Sequence, residues 1–311
     1  MDRKIPPAYR LSREVARALS LGLPLVALES TVITHGLPYP ENLTVAREME
    51  SALRQQGVAP ATIAVLDGKI QVGVTEEQLE RLANGQDMRK ISARDLAVAI
   101  ARKGCGGTTV AGTLLAAFAA GIRVFATGGI GGVHRQPAFD VSADIPQLAR
   151  TPVMVVCAGA KAILDLPATL EFLETYSVPV VGYQTDEFPA FYSRGSGLKT
   201  SCRADTPQEV VEIARAHWGL GNTSAVLVVT PPPEEVALPV ELVEEAVHRA
   251  LGEAQEKGIR GQEVTPFLLK RVNEITGGRS LRANLGLLRN NAHLAGEIAH
   301  QFSQGLRKYQ V

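Results

Sequence analysis

The sequence predicts an α/β fold, a single three-layer α/β/α domain with a mixed, mostly parallel central sheet. Short apolar segments with strand character alternate along the chain with longer amphipathic segments of helical character. The strongest strand segment, residues 153–157, is apolar at every position, which is typical of a strand buried on both faces. Asp67-Gly68 lies between two strand patterns and predicts a hairpin, so at least one strand pair should be antiparallel.

The first half of the chain contains the hairpin and several helices, two of them with a predicted N-cap. Thr75 and Ser92 stand at the starts of helical patterns and can accept hydrogen bonds from the first turn. The predicted elements, in order, are helix 12–21, strand 23–28, helix 42–56, strands 61–66 and 69–74, and helices 75–83 and 93–103.

The second half continues the alternation. The predicted elements are a loop over 105–109, a helix from Val110, strand 122–126, a glycine-rich loop over 127–132, strand 153–157, helix 167–176, strand 178–183, helix 207–217, strand 225–229, helices 242–257 and 267–276, and a last helical region from Asn284. No linker or internal repeat interrupts this order. We therefore predict one catalytic domain over residues 1–311, with residues 1–10 as an N-terminal extension.

Composition narrows the classes of partner. The 311 residues include 32 basic and 32 acidic side chains, a balance that does not favour a nucleic-acid polymer or an anionic membrane surface. No apolar stretch is long enough for a membrane span. The three cysteines are odd in number and lack metal-ligand spacing, which favours a reducing, cytoplasmic location over a disulfide framework.

Lys161 is the first candidate for chemistry. It follows strand 153–157 and the small residues Ala158, Gly159 and Ala160, and we expect it at the start of a helix. An ammonium in apolar surroundings loses hydration, which favours a neutral amine able to attack an electrophilic carbon. The alternative is a lysine whose stem lies along the sheet while its head reaches water.

Two acidic segments are the next candidates. Glu29 ends a predicted strand, where a buried carboxyl can act as a general acid; alternatively it caps the next segment. If residues 140–144 are extended, Asp140, Ser142 and Asp144 share one side and suit a hard cation such as Mg²⁺ or Mn²⁺. The alternative is a loop in which Asp144 caps a helix.

The glycine-rich loops match no nucleotide-binding signature, since they lack both the Walker pattern and the first-strand dinucleotide fingerprint. The segment 104–109 still offers backbone N–H groups, threonine hydroxyls and a helix N-terminus to a phosphate. Lys90 and Arg94 could add a cation there, or could simply form a solvated face. His134 has no partner at zinc spacing, and Asn284 carries an amide inside an apolar pattern, where it needs a polar partner.

Seven segments occur in an order that resembles a known family. They are Ala27-Leu-Glu-Ser-Thr31, Thr34-His-Gly-Leu-Pro-Tyr-Pro-Glu-Asn42, Gly106-Gly-Thr-Thr-Val110, Ala126-Thr-Gly-Gly-Ile-Gly-Gly-Val-His-Arg135, Asp140-Val-Ser-Ala-Asp144, Cys157-Ala-Gly-Ala-Lys161 and Thr265-Pro-Phe-Leu-Leu269. Each is weak alone. Together, from about residue 11 to residue 304, they resemble the pseudouridine-5′-phosphate glycosidases, also described as indigoidine-synthase-A-like.

The resemblance implies a lyase that reversibly cleaves pseudouridine 5′-phosphate to uracil and ribose 5-phosphate, with one divalent metal, usually Mn²⁺, per subunit of a homotrimer. It implies Lys161 as covalent nucleophile, Glu29 as proton donor and Asp140 as metal ligand. By position, it implies substrate contacts at Lys90, Val110, Ser142, Ala143 and Asp144, and also at Thr108, Thr109, Thr127, His134 and Asn284.

This chemistry agrees with the residues. A C–C glycosidic bond has no heteroatom leaving group, so the usual pair of carboxylates would not suffice. An amine that opens the ribose at C1′ supplies an iminium electron sink, protonation at uracil C5 lets the base depart, and water hydrolyses the Schiff base. Two alternatives remain open: another Schiff-base lyase or aldolase acting on a sugar phosphate, and a non-catalytic nucleotide-binding or assembly protein.

Overall fold

The computed structural model describes residues 5–135 and 140–308. Within these ranges the strands, in chain order, are β1 Tyr9–Leu11, β2 Leu25–Leu28, β3 Ala59–Leu66, β4 Lys69–Val72, β5 Arg89–Ile91, β6 Gly106–Thr108, β7 Val124–Ala126, β8 Val133–His134, β9 Met154–Cys157, β10 Leu164–Asp165, β11 Val180–Tyr183, β12 Cys202–Ala204 and β13 Val226–Val229.

The helices are α1 Arg13–Leu21, α2 Glu41–Gln55, α3 Glu76–Asn84, α4 Leu96–Ala101, α5 Val110–Ala119, α6 Asp144–Leu148, α7 Leu166–Thr175, α8 Pro207–Gly219, α9 Val240–Glu256, α10 Val264–Ile275 and α11 Arg279–Lys308. A π-helical turn spans Val32–Gly36, and 3₁₀ turns span Ala93–Asp95 and Gly261–Glu263. No helix in the described ranges combines the length and apolarity needed to cross a bilayer.

Eleven strands form one mixed sheet in the order β1-β4-β3-β2-β7-β9-β13-β11-β12, with β6 also paired to β3 and β5 paired to β6. Its pairs are parallel except for β3 with β4 and β3 with β6. Helices flank this sheet, so the predicted α/β fold with a mixed, mostly parallel sheet is confirmed. The antiparallel β3–β4 pair is the hairpin at Asp67-Gly68.

Burial explains the central strands. Every residue of β3, β9 and β13 is buried; the uninterrupted apolar runs of β9 and β13 predict this, whereas β3 also buries the polar residue Thr62. The long helix α11 packs against β2, β7 and β9 and against α2 and α8, so it covers the middle of the sheet. The small residues of α5 let that helix lie close to β2, β3 and β4.

Three local predictions were wrong. Residues 106–108 form a strand instead of a loop, because Gly106 and Gly107 can approach neighbouring backbone where a Cβ would collide with Arg89 and Ser30. Tyr9 and Arg10, placed in the predicted extension, belong to the edge strand β1, which pairs with β4. Lys161 does not start a helix: β10 intervenes and pairs with β8, and α7 begins at Leu166.

Candidate active site

A cavity of about 380 Å³ lies beyond the carboxyl ends of the central parallel strands, where ligands bind in open α/β sheets. Glu29 follows β2, Gly128 lies two residues after β7, and Lys161 lies in the loop after β9; all three line it. Because β2, β7 and β9 are adjacent and parallel, the residues that follow them are brought together at one edge. The sheet therefore assembles side chains that are up to 132 positions apart in sequence.

Glu29 is a buried acid, only 8% exposed. Its Oε1 accepts a hydrogen bond from the Thr127 hydroxyl, which lies at the end of the neighbouring strand. Burial raises the pKa of Glu29 because the carboxylate loses hydration, although the nearby charge of Lys161 and the Thr127 hydrogen bond oppose the rise. A carboxyl held in this way favours the protonated form that a proton donor needs.

The Lys161 backbone is fixed on both sides. Its N–H donates to the carbonyl of Ile130 at 3.1 Å, and its carbonyl accepts from the N–H of Leu164 at 3.0 Å. Just before it, Gly159 has a left-handed φ of 88°, and a Cβ there would collide with the carbonyl of Pro189. The backbone of Pro189 can therefore approach this position closely because it is glycine.

Asp144 lines the cavity and ties the start of α5 to the loop after β7. Its Oδ1 accepts from the N–H of Ala111 at 2.9 Å, and its Oδ2 accepts from the N–H of Gly131 at 2.8 Å. The side chain of Ser142 accepts from the Asp144 N–H at 3.2 Å. Asp144 is in the first turn of α6 and 5% exposed, so it neither caps that helix nor points to solvent.

Asp140 is the carboxylate that remains available. It lines the cavity beside His134, whose N–H donates to the Asp140 carbonyl at 2.8 Å. Burial lowers the pKa of His134, and the charge of Asp140 opposes this. Among the described residues, the Asp140 carboxylate has no hydrogen bond or ion pair, and no group of three or more His, Cys, Asp or Glu could hold a metal.

The N-terminus of α5 forms another part of the wall. Thr109 caps the helix by accepting from the N–H of Gly112 at 3.3 Å, and the N–H of Ala111 is taken by Asp144. In the described ranges, the N–H of Val110 has no acceptor. Val110 lines the cavity, so one backbone donor at a helix N-terminus is available to an anion.

Lys90 also lines the cavity, from strand β5, and Arg94 lies in the 3₁₀ turn that follows this strand. Burial lowers the pKa of Lys90, and the charge of Lys161 lowers it further. Arg94 reaches the rim with a side chain that is 77% exposed.

Ser142, Ala143 and Asn284 complete the predicted residues that line the cavity. Asn284 comes from α11 and is 8% exposed, and its amide has no hydrogen-bond partner among the described residues. A buried amide without a protein partner fits a contact with a polar ligand.

Two predicted substrate contacts lie outside the cavity lining. Thr108 is fully buried, and its hydroxyl donates to the carbonyl of Ile63 at 2.7 Å, with Thr113 2.8 Å away. Its hydrogen-bonding capacity is therefore used within the protein. Thr127 is 2% exposed and contacts Glu29, so it acts on the acid rather than on a ligand.

Other wall residues received no role from the sequence. Phe191 has a left-handed φ of 61° and packs so closely on Gly129 that a Cβ there would lie 2.6 Å from its ring. Its segment carries only an apolar run without periodicity, which offers no signal for a site. Thr265 and Leu269 line the cavity from α10. They belong to one of the segments that carry the family resemblance, but the residue pattern of that segment predicts no function for them.

The sequence and the fold are similar to those of known proteins. The family model described as "Indigoidine synthase A like protein" matches residues 14–301. The pseudouridine-5′-phosphate glycosidase of Solibacter usitatus is 54% identical over 292 residues, which cover 93% of this chain and 98% of the relative. The enzyme of the same name from Geobacillus kaustophilus is 51% identical over 294 residues, with 94% and 98% covered.

Two solved structures share the whole fold. The crystal structure of the prealnumycin C-glycosynthase AlnA in complex with ribulose 5-phosphate superimposes with a TM-score of 0.90 at 40% identity, covering 97% of this chain and 99% of that chain. An indigoidine synthase A-like protein from Thermotoga maritima gives 0.88 at 37% identity, with 95% and 96% covered. With a family model spanning nearly its full length and relatives about half identical to it, the chain belongs to the indigoidine synthase A-like family.

Proposed function

We propose that this protein is an enzyme that reversibly cleaves the C–C glycosidic bond of pseudouridine 5′-phosphate to uracil and ribose 5-phosphate. The observation that carries the proposal is the pairing of Lys161 with a buried acid, Glu29, in one cavity. Relatives about half identical over nearly the full chain carry the name of this activity. A solved relative is a C-glycosynthase bound to a pentose phosphate, which supports the same substrate class.

Each group has a defined task in the reaction. The Lys161 amine bonds to C1′ as the C1′–O4′ bond breaks and O4′ takes a proton. Glu29 then protonates uracil C5, and the nitrogen lone pair expels uracil as the C1′–C5 bond breaks. The resulting iminium is hydrolysed by water, which releases ribose 5-phosphate and restores the amine. Because Thr127 donates to Oε1 of Glu29, the transferable proton belongs on Oε2.

The sugar phosphate would be bound by a lysine side chain and by a backbone N–H group of the cavity wall. We assign Lys90 and the N–H of Val110 to the phosphate, because one is a cavity-lining ammonium and the other a helix-terminal donor without a protein partner among the described residues. Thr109, Ser142, Ala143 and His134 complete this wall. The amide of Asn284, which has no hydrogen-bond partner among the described residues, is assigned to a polar edge of the ligand.

Asp140 fits one carboxylate ligand of a hydrated divalent cation, and we propose Mn²⁺. Its carboxylate lines the cavity without a partner in the described part of the chain, and ions of this type commonly take one or two protein carboxylates and keep their waters. When bound, such an ion would supply positive charge that orients oxygen ligands. Asp144 fits this role less well, because both of its oxygens accept backbone N–H groups.

The first experiment incubates the protein with uracil, ribose 5-phosphate and Mn²⁺ and follows free uracil and the C-nucleotide product. A second adds borohydride to the protein with ribose 5-phosphate and maps the adduct by mass spectrometry. We expect product formation and an adduct on Lys161 that is absent in Lys161→Ala and retained in the control Lys199→Ala, which alters a lysine outside the cavity lining.

Each alternative gives a different result. Another Schiff-base lyase or aldolase would trap ribose 5-phosphate on Lys161 but leave uracil unconsumed. A non-catalytic binding or assembly protein would give no adduct. Either result at saturating substrate would refute the proposed reaction.

Assembly, location and domain organisation are proposed on the resemblance and the sequence. We propose that the chain functions as one domain in a cytoplasmic homotrimer, with no nucleic-acid polymer or membrane as partner. Light scattering of the purified protein measures the oligomeric state directly.

A further inference from the structure

Arg135 holds the turn that carries Lys161. Its Nε donates to the carbonyl of Leu164 at 3.1 Å, and its Nη2 donates to the carbonyl of Ala162 at 3.3 Å. Ala162 and Leu164 lie one and three residues after Lys161. Both belong to the turn that is closed by the hydrogen bond from the Leu164 N–H to the Lys161 carbonyl. One guanidinium therefore fixes two acceptors of the same turn.

Glu244 in turn holds Arg135. Its two oxygens accept from Nη1 and Nη2 at 2.7 Å each, which is the bidentate geometry that fixes the plane of a guanidinium. The Arg135 side chain is 27% exposed and that of Glu244 is 49% exposed, so the guanidinium is the more buried member of the pair. Lysine cannot reproduce this arrangement, because an ammonium lacks the planar fork of donors.

The pair also connects two walls of the cavity. Arg135 directly follows β8, which pairs with β10 next to the Lys161 turn. Glu244 belongs to α9, and α9 packs along α10, whose residues Thr265 and Leu269 line the cavity. The nucleophile's turn and the helical wall are therefore joined through one guanidinium.

We infer that Arg135 is a positioning residue for Lys161, held in place by Glu244, and that it sets the rate at which the lysine forms its covalent adduct. The inference rests on the proposed function, because it requires Lys161 to be the nucleophile. Arg135 lies one residue beyond the cavity lining and is assigned no contact with the substrate. Its loss should therefore slow adduct formation far more than it weakens substrate binding.

The test measures borohydride-trapped adduct with ribose 5-phosphate as a function of time and concentration, which separates the trapping rate from the apparent binding constant. Removing hydrogen bonds made by a charged group corresponds to roughly a 10- to 100-fold effect, so Arg135→Lys should lower the limiting rate by that factor. The binding constant should stay within about threefold, an effect below 1 kcal/mol. Arg203→Lys is the control, because Arg203 also forms ion pairs, with Asp186 and Asp205, but lies outside the cavity lining.

The double variant Arg135→Glu/Glu244→Arg separates positioning from simple stability. It can restore the ion pair, but a carboxylate at position 135 cannot donate to the carbonyls of Ala162 and Leu164. We expect it to recover the thermal midpoint without recovering the trapping rate. If Arg135→Lys does not fold, Glu244→Gln, which leaves the guanidinium without its charged partner, should still lower the trapping rate by about three- to tenfold.

The outcomes are distinguishable. Wild-type protein that traps no adduct would overturn the proposed function and this inference together. Wild-type protein that traps an adduct, with Arg135→Lys trapping at the same rate, would overturn the inference alone. Recovery of the trapping rate together with the thermal midpoint in the double variant would also overturn it, because the role of Arg135 would then be only structural.

Discussion

Asp144→Asn provides a sharp test of the cavity's architecture. Both oxygens of this buried carboxylate accept backbone N–H groups, one from Ala111 at the start of α5 and one from Gly131 in the loop after β7. Asparagine is nearly the same size but keeps only one acceptor, because its second terminal atom is an NH₂ donor. One backbone N–H would therefore face another donor inside the protein.

The expected loss of stability follows from the number of hydrogen bonds that Asp144→Asn removes. A hydrogen bond to a charged group contributes about 1.5–3 kcal/mol, and a buried donor left without a partner costs a further 1–3 kcal/mol or so. Part of this loss is recovered by local movement, so we expect the free energy of unfolding to fall by about 2–4 kcal/mol.

The assay is urea unfolding of metal-free protein, with Asp140→Asn as the matched control. Asp140 lies four residues earlier, and its carboxylate has no hydrogen bond or ion pair among the described residues, so its replacement should change stability by less than about 0.5 kcal/mol. Titration with Mn²⁺ should give the opposite order, with Asp140→Asn losing more affinity. Equal loss of stability in the two variants would refute the reasoning.

Three further predictions test the acid and the glycine loop. Burial raises the pKa of Glu29, so the folded state holds this proton more tightly than the unfolded state does. The resulting stabilisation is fully present below the pKa that Glu29 has in the unfolded state, and it is lost as pH rises through the pKa of the folded state. When unfolding is measured against pH, Glu29→Gln should remove this loss. Thr127→Val removes a hydrogen bond that lowers the pKa of Glu29, so the alkaline limb of the pH–rate profile should move to higher pH. The maximum rate should fall about tenfold. Gly131→Ala places a Cβ against Ser142 and should cost about 1–3 kcal/mol in the free energy of unfolding, whereas Gly128→Ala, with its nearest atoms at 3.3 Å, should cost less.

Much of the fold follows from local patterns. The apolar runs of β9 and β13 leave no polar face, so they predict strands buried on both sides. Thr75 is predicted to cap α3, and its hydroxyl accepts the N–H of Gln78, as a cap requires. These features depend on residues within a few positions of each other, which is why a single sequence reveals them.

Strand β6 shows where such patterns fail. Its Gly-Gly-Thr sequence has the composition of a loop, and it is a strand only because β3 and β5 lie on either side of it. The same holds for Phe191, whose ring packs on Gly129 in another loop of the cavity wall. These outcomes are set by neighbours distant in sequence, so local propensity carries no information about them.

The sequence by itself determined the alternation of strands and helices, the candidate amine Lys161 and the candidate acid Glu29, because each depends on a short run of residues and on the order of motifs. Only the tertiary structure decided what surrounds them. It turned Asp144 inward as a bridge between α5 and the loop after β7, and it left the carboxylate of Asp140 without a partner among the described residues. It also placed Arg135 on the carbonyls beside Lys161. Hydrogen bonds depend on distance and angle in space, and those are set only when the whole sheet and its helices have packed.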